Sequence, residues 1–286
     1  MSGDTEAGRR GPVFITERVV GASHRRAKLP CQDAAAGAAR GEALAVAVAD
    51  GHGTSIHGDL GAEVAVEVAL AALLDFADGL GARGERLAEV QGYAEHPLRV
   101  QLARAWVARV LERSGDEATS LAAYGTTLVF ALETPSFLLL GQIGDGDVLL
   151  VDSDGIVSVP LPRDPAAFGD ETPSLCMDQA AQWIRVRALP PPKGPALLIA
   201  CTDGYANSYA TSDDFHAIGP GYLALVRERG LDAVAGHLPG FLERVTAGGS
   251  GDDIAVALVW WPPAAEAAEI PARAGGGDDD GLPENE

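Results

Sequence analysis

Five aspartates each stand where an apolar run meets glycine or a turn. Asp50 ends "ALAVAVAD" and runs into Gly51-His52-Gly53, and Asp203 ends "ALLIACTD". Asp145 interrupts "LLLGQIGDGDVLL", Asp252 opens "DDIAVALVWW", and Asp33 closes the basic segment "SHRRAKLPCQD". Glycines 51, 144, 146, 204 and 251 beside them let the backbone approach a bound group closely. Carboxylates drawn together from distant strands repel one another unless divalent cations neutralise them. Oxygen-only clusters suit hard ions such as Mg²⁺ or Mn²⁺, whereas zinc prefers imidazole and thiolate. Each aspartate taken singly also reads as a turn or cap residue, as Asp154-Gly155 in "VDSDGIV" does. His52 has two readings as well: a proton donor beside the acids, or a cap on the helix that follows.

The elements that must carry these residues follow from periodicity. "VFITERVVG" reads as a first strand, and residues 42–50 as a strand covered on both faces. Apolar residues at three- and four-residue spacing over Gly58–Ala77 predict an amphipathic helix. Residues 78–96 read as a loop with ragged helical pieces, and Pro97 as the start of the helix "LRVQLARAWVARVLER". "GTTLVFAL", "SFLLLGQIG", "DVLLVDSDG", "WIRVRAL" and "PALLIACTDG" read as strands, with an irregular, Pro-rich flap at Ile156–Ala180. Two helical segments separate near Gly230, and a last strand ends at Trp260-Trp261, expected at a sheet edge. This order predicts an α+β fold, a mostly antiparallel sheet system flanked by helices.

Composition limits the partners. The 286 residues are 47% hydrophobic, and 41 acids against 21 bases give a net charge of −20. Such a charge repels phosphate backbones and anionic lipid, so neither nucleic acid nor membrane is expected as a partner. The three cysteines lack C-x-x-C spacing, which fits a reducing compartment. No secretory h-region precedes the first strand, and the 11-residue run Val64–Leu74 contains Glu67, so a cytoplasmic location is expected.

"CQDAA", "AVADGHG", "YGTTLVF", "GQIGDGD", "ACTDGYAN" and "GDDIAVALV" occur in the order found in type 2C metal-dependent protein phosphatases, which the chain resembles over roughly Phe14–Trp261. The resemblance implies a four-layer α/β/β/α sandwich with two central sheets. It implies a catalytic domain at 12–262, while the polar residues 1–11 read from composition as a disordered N-terminus and 263–286 as a disordered acidic tail. It implies two Mn²⁺ or Mg²⁺ ions held by Asp33, Asp50, the Gly51 carbonyl, Asp203 and Asp252, with Asp145 available to a third. Asp50 would bridge the ions, a water between them would attack phosphorus, and His52 would protonate the departing seryl or threonyl oxygen. Phosphorylated proteins, among them a bacterial Ser/Thr kinase and its targets, would be the partners.

Three positions depart from the family. Gln32 precedes Asp33 where an acid is common, and Asn207 replaces an acid four residues after Asp203. Lys28 stands where many relatives carry a phosphate-gripping arginine, with Arg25 and Arg26 as substitutes. Asp253 is read as supporting the site from behind, and His24 has no defined partner. These departures motivate an alternative, a catalytically weakened sensor or scaffold that binds metal or phosphoprotein. A phosphohydrolase with an Asp145-Gly146-Asp147 nucleophile is a poor fit, since the downstream Thr and Lys it needs are missing.

Overall fold

The strand from Ala43 to Asp50 explains why its sequence shows no polar alternation. In the computed structural model, which describes residues 11–80, 86–115, 120–162 and 172–263, Ala45, Ala47 and Ala49 pack under a helix. Leu44, Val46 and Val48, on the opposite face, meet a second sheet. An antiparallel strand alternates only when one face is wet, and here neither is.

Among the described residues, ten strands form two five-stranded sheets, with every pair antiparallel. They are β1 (Val13–Val19), β2 (Asp33–Arg40), β3 (Ala43–Asp50), β4 (Leu128–Glu133) and β5 (Leu138–Ile143). The others are β6 (Asp147–Val151), β7 (Val157–Ser158), β8 (Arg185–Leu189), β9 (Ala196–Cys201) and β10 (Ile254–Trp261). One sheet runs β1-β10-β9-β6-β7 and the other β2-β3-β4-β5-β8. Helices α1 (Ala22–Ala27), α2 (Gly58–Leu80), α3 (Leu87–Tyr93) and α4 (Arg99–Ser114) precede β4. Helices α5 (Asp203–Ala206), α6 (Ser212–His216), α7 (Ile218–Arg229) and α8 (Leu231–Gly248) lie between β9 and β10. Three apolar clusters separate the layers: α2 and α4 against the second sheet, side chains of both sheets between them, and α7 and α8 against the first. The expected four-layer α/β/β/α sandwich is therefore the observed fold. No described helix is long and apolar enough to cross a membrane.

Several local expectations are corrected. "SHRRAKLPCQD" is not a plain loop, because it forms α1 and leads into β2. The described residues of the stretch 78–96 are largely helical, and Pro97 lies inside a π turn, Ala94–Leu98, rather than at a helix start. A proline's missing N–H is tolerated there because the regular ladder is already broken. Trp260 and Trp261 end a central strand, since β10 pairs with both β1 and β9. The proposed disordered ends fall outside the described residues except for Gly11 and Pro263, and so does 163–171 of the Pro-rich segment.

Cross-strand packing leaves little slack in the sheets. Gly141 on β5 sits opposite Phe130 on β4, and a Cβ added at Gly141 would lie 1.9 Å from the ring's Cζ. Phe130 is fully buried. Gly141→Ala is expected to lower stability by ~1–3 kcal/mol through overpacking, seen as a fall in Tm. Adding Phe130→Leu should recover part of that loss in a double-mutant cycle. Independent, additive losses would show that the ring is not what the new methyl meets.

Candidate metal centre

The antiparallel registers bring five distant aspartates to one end of the sandwich. Asp33, first residue of β2, pairs directly with Asp50, last residue of β3. Asp145 lies in the turn between β5 and β6, Asp203 follows β9 by two residues, and Asp252 stands two before β10. Asp50, Asp145 and Asp203 each present a carboxylate oxygen, and these atoms lie within 4.8 Å of one another. They share a polar cavity of about 190 Å³ with Asp252, Asp253, Gly51, His24 and His52. Asp33 is buried behind Asp50 and does not line the cavity.

Backbone contacts fix the arrangement. A Cβ at Gly51 would lie 2.3 Å from the Gly58 carbonyl oxygen, and one at Gly204 would lie 2.1 Å from that of Asp253. Side chains are excluded at both, so the glycines are required by close approach. The "GTTL" segment serves Asp50: the Thr127 N–H and the Thr126 hydroxyl both donate to its carbonyl, at 2.9 and 2.8 Å. Asp50 N–H in turn donates to Thr127 Oγ1 at 3.1 Å. Thr202 donates its hydroxyl to Asp33 Oδ2 at 2.6 Å. Thr172 donates to Asp145 Oδ2 at 3.1 Å. Asn207, the departure from the family pattern, donates its amide to Asp203 Oδ2 at 2.8 Å.

The electrostatics show a site short of positive charge. Burial pushes the Asp50 carboxyl up to about 8, and the charges of Asp203, Asp252 and Asp145 add to it, against a carboxyl–carboxyl hydrogen bond with Asp33. Asp33 is raised well above the carboxylate range by burial first and the Asp50 charge second, with Thr202 opposing. Among the described residues, no lysine or arginine lines the cavity. Burial lowers the His52 imidazole below its usual value, and the Asp145 charge works the other way. The donor set is wholly oxygen, which fits a hard divalent cation.

The three basic residues expected to grip phosphate are not brought to the cavity wall. Arg25 is 2.9 Å from Glu243, Arg26 donates to Ser23 Oγ at 3.0 Å, and Lys28 caps the end of α1 with φ 57°. Sequence reasoning missed His24, whose Nδ1 lies 2.9 Å from Asp253 Oδ2. That partner is 229 residues away, and only the β1–β10 pairing brings the two together. His57 begins α2 with its backbone, accepting from Gly61 N–H at 3.0 Å, while its ring stacks on Tyr124.

Residues 20–243 match the family described as Protein phosphatase 2C. A comparison with curated protein sequences finds no match. Among solved structures, the S. agalactiae serine/threonine phosphatase aligns at 17% identity and TM-score 0.55, covering 87% of this chain and 99% of that one. The Mycobacterium tuberculosis serine/threonine phosphatase PstP/Ppp aligns at 18% and 0.52, covering 88% and 99%. The catalytic domain of PstP in complex with two manganese ions aligns at 20% and 0.52, covering 87% and 97%. These likenesses concern the fold, and the sequence match spans most of the chain. The chain belongs to the protein phosphatase 2C family.

Proposed function

We propose that this chain hydrolyses phosphoserine and phosphothreonine esters of phosphorylated proteins with the help of two Mn²⁺ or Mg²⁺ ions. The observation that carries the reading is the convergence of Asp50, Asp145 and Asp203 to within 4.8 Å, from three separate strand ends. Asp50, Asp145, Asp203, Asp252 and the Gly51 carbonyl would hold the ions, with Asp33 backing Asp50. Asn207 contributes an amide and no charge, so two ions rather than three are expected. The PstP catalytic domain, a relative in fold, was solved with two manganese ions. Such ions, when bound, polarise a phosphoryl oxygen and make water a nucleophile near neutral pH.

The chain's own residues do the rest. His52 follows Asp50 by two residues and lines the same cavity, where it protonates the departing seryl or threonyl oxygen. Burial lowers the imidazole below its usual value, and the Asp145 charge offsets part of that shift. A cavity of about 190 Å³ is below the ~300–1,000 Å³ of pockets that enclose whole small ligands. It takes a phosphoryl group and leaves the substrate's body outside, as a phosphoprotein requires. Targets of a bacterial Ser/Thr kinase are the candidate substrates.

With Mn²⁺ present, the protein is expected to release phosphate from a phosphothreonine peptide, and EDTA to abolish the release. Asp203→Ala should cut turnover by ~100-fold or more. Manganese binding without turnover would establish a sensor instead. His52→Ala should slow the peptide reaction by ~100-fold but p-nitrophenyl phosphate far less, because that leaving group needs little protonation. Equal losses on the two substrates would remove His52 from the acid role.

A third expectation concerns the metal-free state. An acid whose folded-state pKa is raised holds its proton more tightly folded than unfolded. Its stabilisation is complete below about 4 and is lost as pH rises towards about 8. The lowered His52 has the opposite slope, confined to below its ordinary 6.5. In EDTA, Tm should therefore fall by ~5 °C between pH 6.5 and 8, and Asp50→Asn should flatten the fall. Mg²⁺ should raise Tm more at pH 8 than at pH 6.5. A wild-type Tm that holds steady over that interval would refute the repulsion argument.

A further inference from the structure

Asp253 is a closely engaged carboxylate at this end of the fold. Its side chain is 1% exposed. Oδ1 accepts the Gly21 N–H at 2.5 Å, and Oδ2 accepts the Gln32 N–H at 2.6 Å. The His24 ring stands 2.9 Å from Oδ2. With the carboxylate serving as acceptor throughout, Nδ1 of His24 carries the proton. Nε2 has no protein partner among the described residues.

The helix that carries His24 is held against the aspartates. The Ser23 N–H donates to the Gly251 carbonyl at 2.8 Å, and the Ala22 N–H to Thr246 Oγ1 at 3.1 Å. A Cβ at Gly21 would lie 2.4 Å from the Asp252 carbonyl carbon, so the helix begins in contact with the cluster. His24 thus reaches the cavity from a fixed base, with its side chain 19% exposed.

The remaining polar side chains of the wall are engaged elsewhere. Gln32 turns its amide to the Ser55 carbonyl at 3.4 Å, and Thr172 gives its hydroxyl to Asp145. His52 has the leaving oxygen. Five carboxylates line the cavity, Asp50, Asp145, Asp203, Asp252 and Asp253, and among the described residues no lysine or arginine joins them. A phosphoryl group entering it still needs a donor from the protein.

We propose that His24, pinned by Asp253, supplies that donor. Nδ1–H stays on Asp253 while Nε2, taking up a proton from solvent as the phosphate dianion binds, donates to a phosphoryl oxygen of the substrate, so an imidazolium lies between two anions. His24 thereby takes the place expected for Lys28, Arg25 or Arg26, with Asp253 as its positioning residue. The inference rests on the phosphatase reading of the same cavity.

Calorimetric titration of Mg²⁺-loaded protein with inorganic phosphate tests the contact without turnover. His24→Gln should weaken phosphate binding and raise KM by ~10-fold or more, with kcat changed by less than ~3-fold. Mg²⁺ affinity should stay within ~2-fold of wild type, and His24→Arg should restore phosphate binding. In ¹⁵N-histidine-labelled wild type, inorganic phosphate should move the His24 Nε2 resonance, which needs no variant. An unmoved resonance, or a folded His24→Gln with unchanged phosphate affinity and KM, overturns the proposal. So does a parallel loss of Mg²⁺ affinity, which would make the role structural. Wild type without turnover whose phosphate binding still depends on His24 would sink the hydrolase reading and support the contact.

Discussion

Mutual repulsion among buried carboxylates is the constraint on which the rest of this molecule depends. Asp33 and Asp50 are cross-strand partners, a placement of like charges that weakens a sheet. Asp145, Asp203 and Asp252 crowd the same point, in a chain already carrying a net charge of −20. Nothing in the polypeptide's charge balance favours this gathering. It is imposed by strands whose positions are set by what they bury. In β3, β4, β5, β9 and β10 nearly every residue is inaccessible to water. A slip of one residue would exchange the two faces of such a strand, putting valine and leucine where only alanine fits under α2. Register is therefore fixed by the core, and the core dictates where the acids emerge.

The second device is backbone proximity. Gly51 and Gly204 allow contacts that no Cβ would permit, and the threonines at 126, 127 and 202 hold the aspartates or their backbone through hydroxyl hydrogen bonds. Fully buried hydroxyls are tolerable because each is paired. Together they convert a repulsive cluster into one with little freedom to relax, so neutralisation has to come from a proton or a cation. The raised Asp33 and Asp50 carboxyls are the protonic version of that neutralisation. A cation and the Asp50 proton would compete for the same oxygens, which would tie metal affinity to pH.

The strand ends were legible because burial on two faces and a D-G step leave a local mark. The runs before Asp50 and Asp203 are continuous and apolar, and their tips carry the acids. Several local features that depend on partners far along the chain were not legible. "DAAAGAAR" has a weak strand signature, since alanine and glycine are poor strand formers, yet it pairs along its whole length with β3. "ASHRRA" forms a helix because its first N–H groups find acceptors at Gly251 and Thr246, more than two hundred residues later. Trp260 and Trp261 look like edge residues until β1 is seen to close over β10. Lys28 was matched to the phosphate-gripping position by sequence alone, but the turn that ends α1 leaves it out of the cavity wall.

Those long-range links share a direction, and it bears on how the centre forms. Asp253 joins Gly21, His24 and Gln32 across separations of 232, 229 and 221 residues. β1 pairs with β10 along seven residues, so one sheet is completed only when the two ends of the domain meet. Contacts of such separation form against a large loss of chain entropy. Before that closure, Asp33 and Asp50 can already be adjacent, because β2 and β3 are sequence neighbours. Asp203 and Asp252 are supplied from the ends of β9 and β10, in the first sheet. Each arrival adds repulsion, so the step that completes the centre is also the one that most needs positive charge. A cation that binds the closed arrangement therefore stabilises the meeting of the chain's ends, and the same closure brings His24 to the cavity.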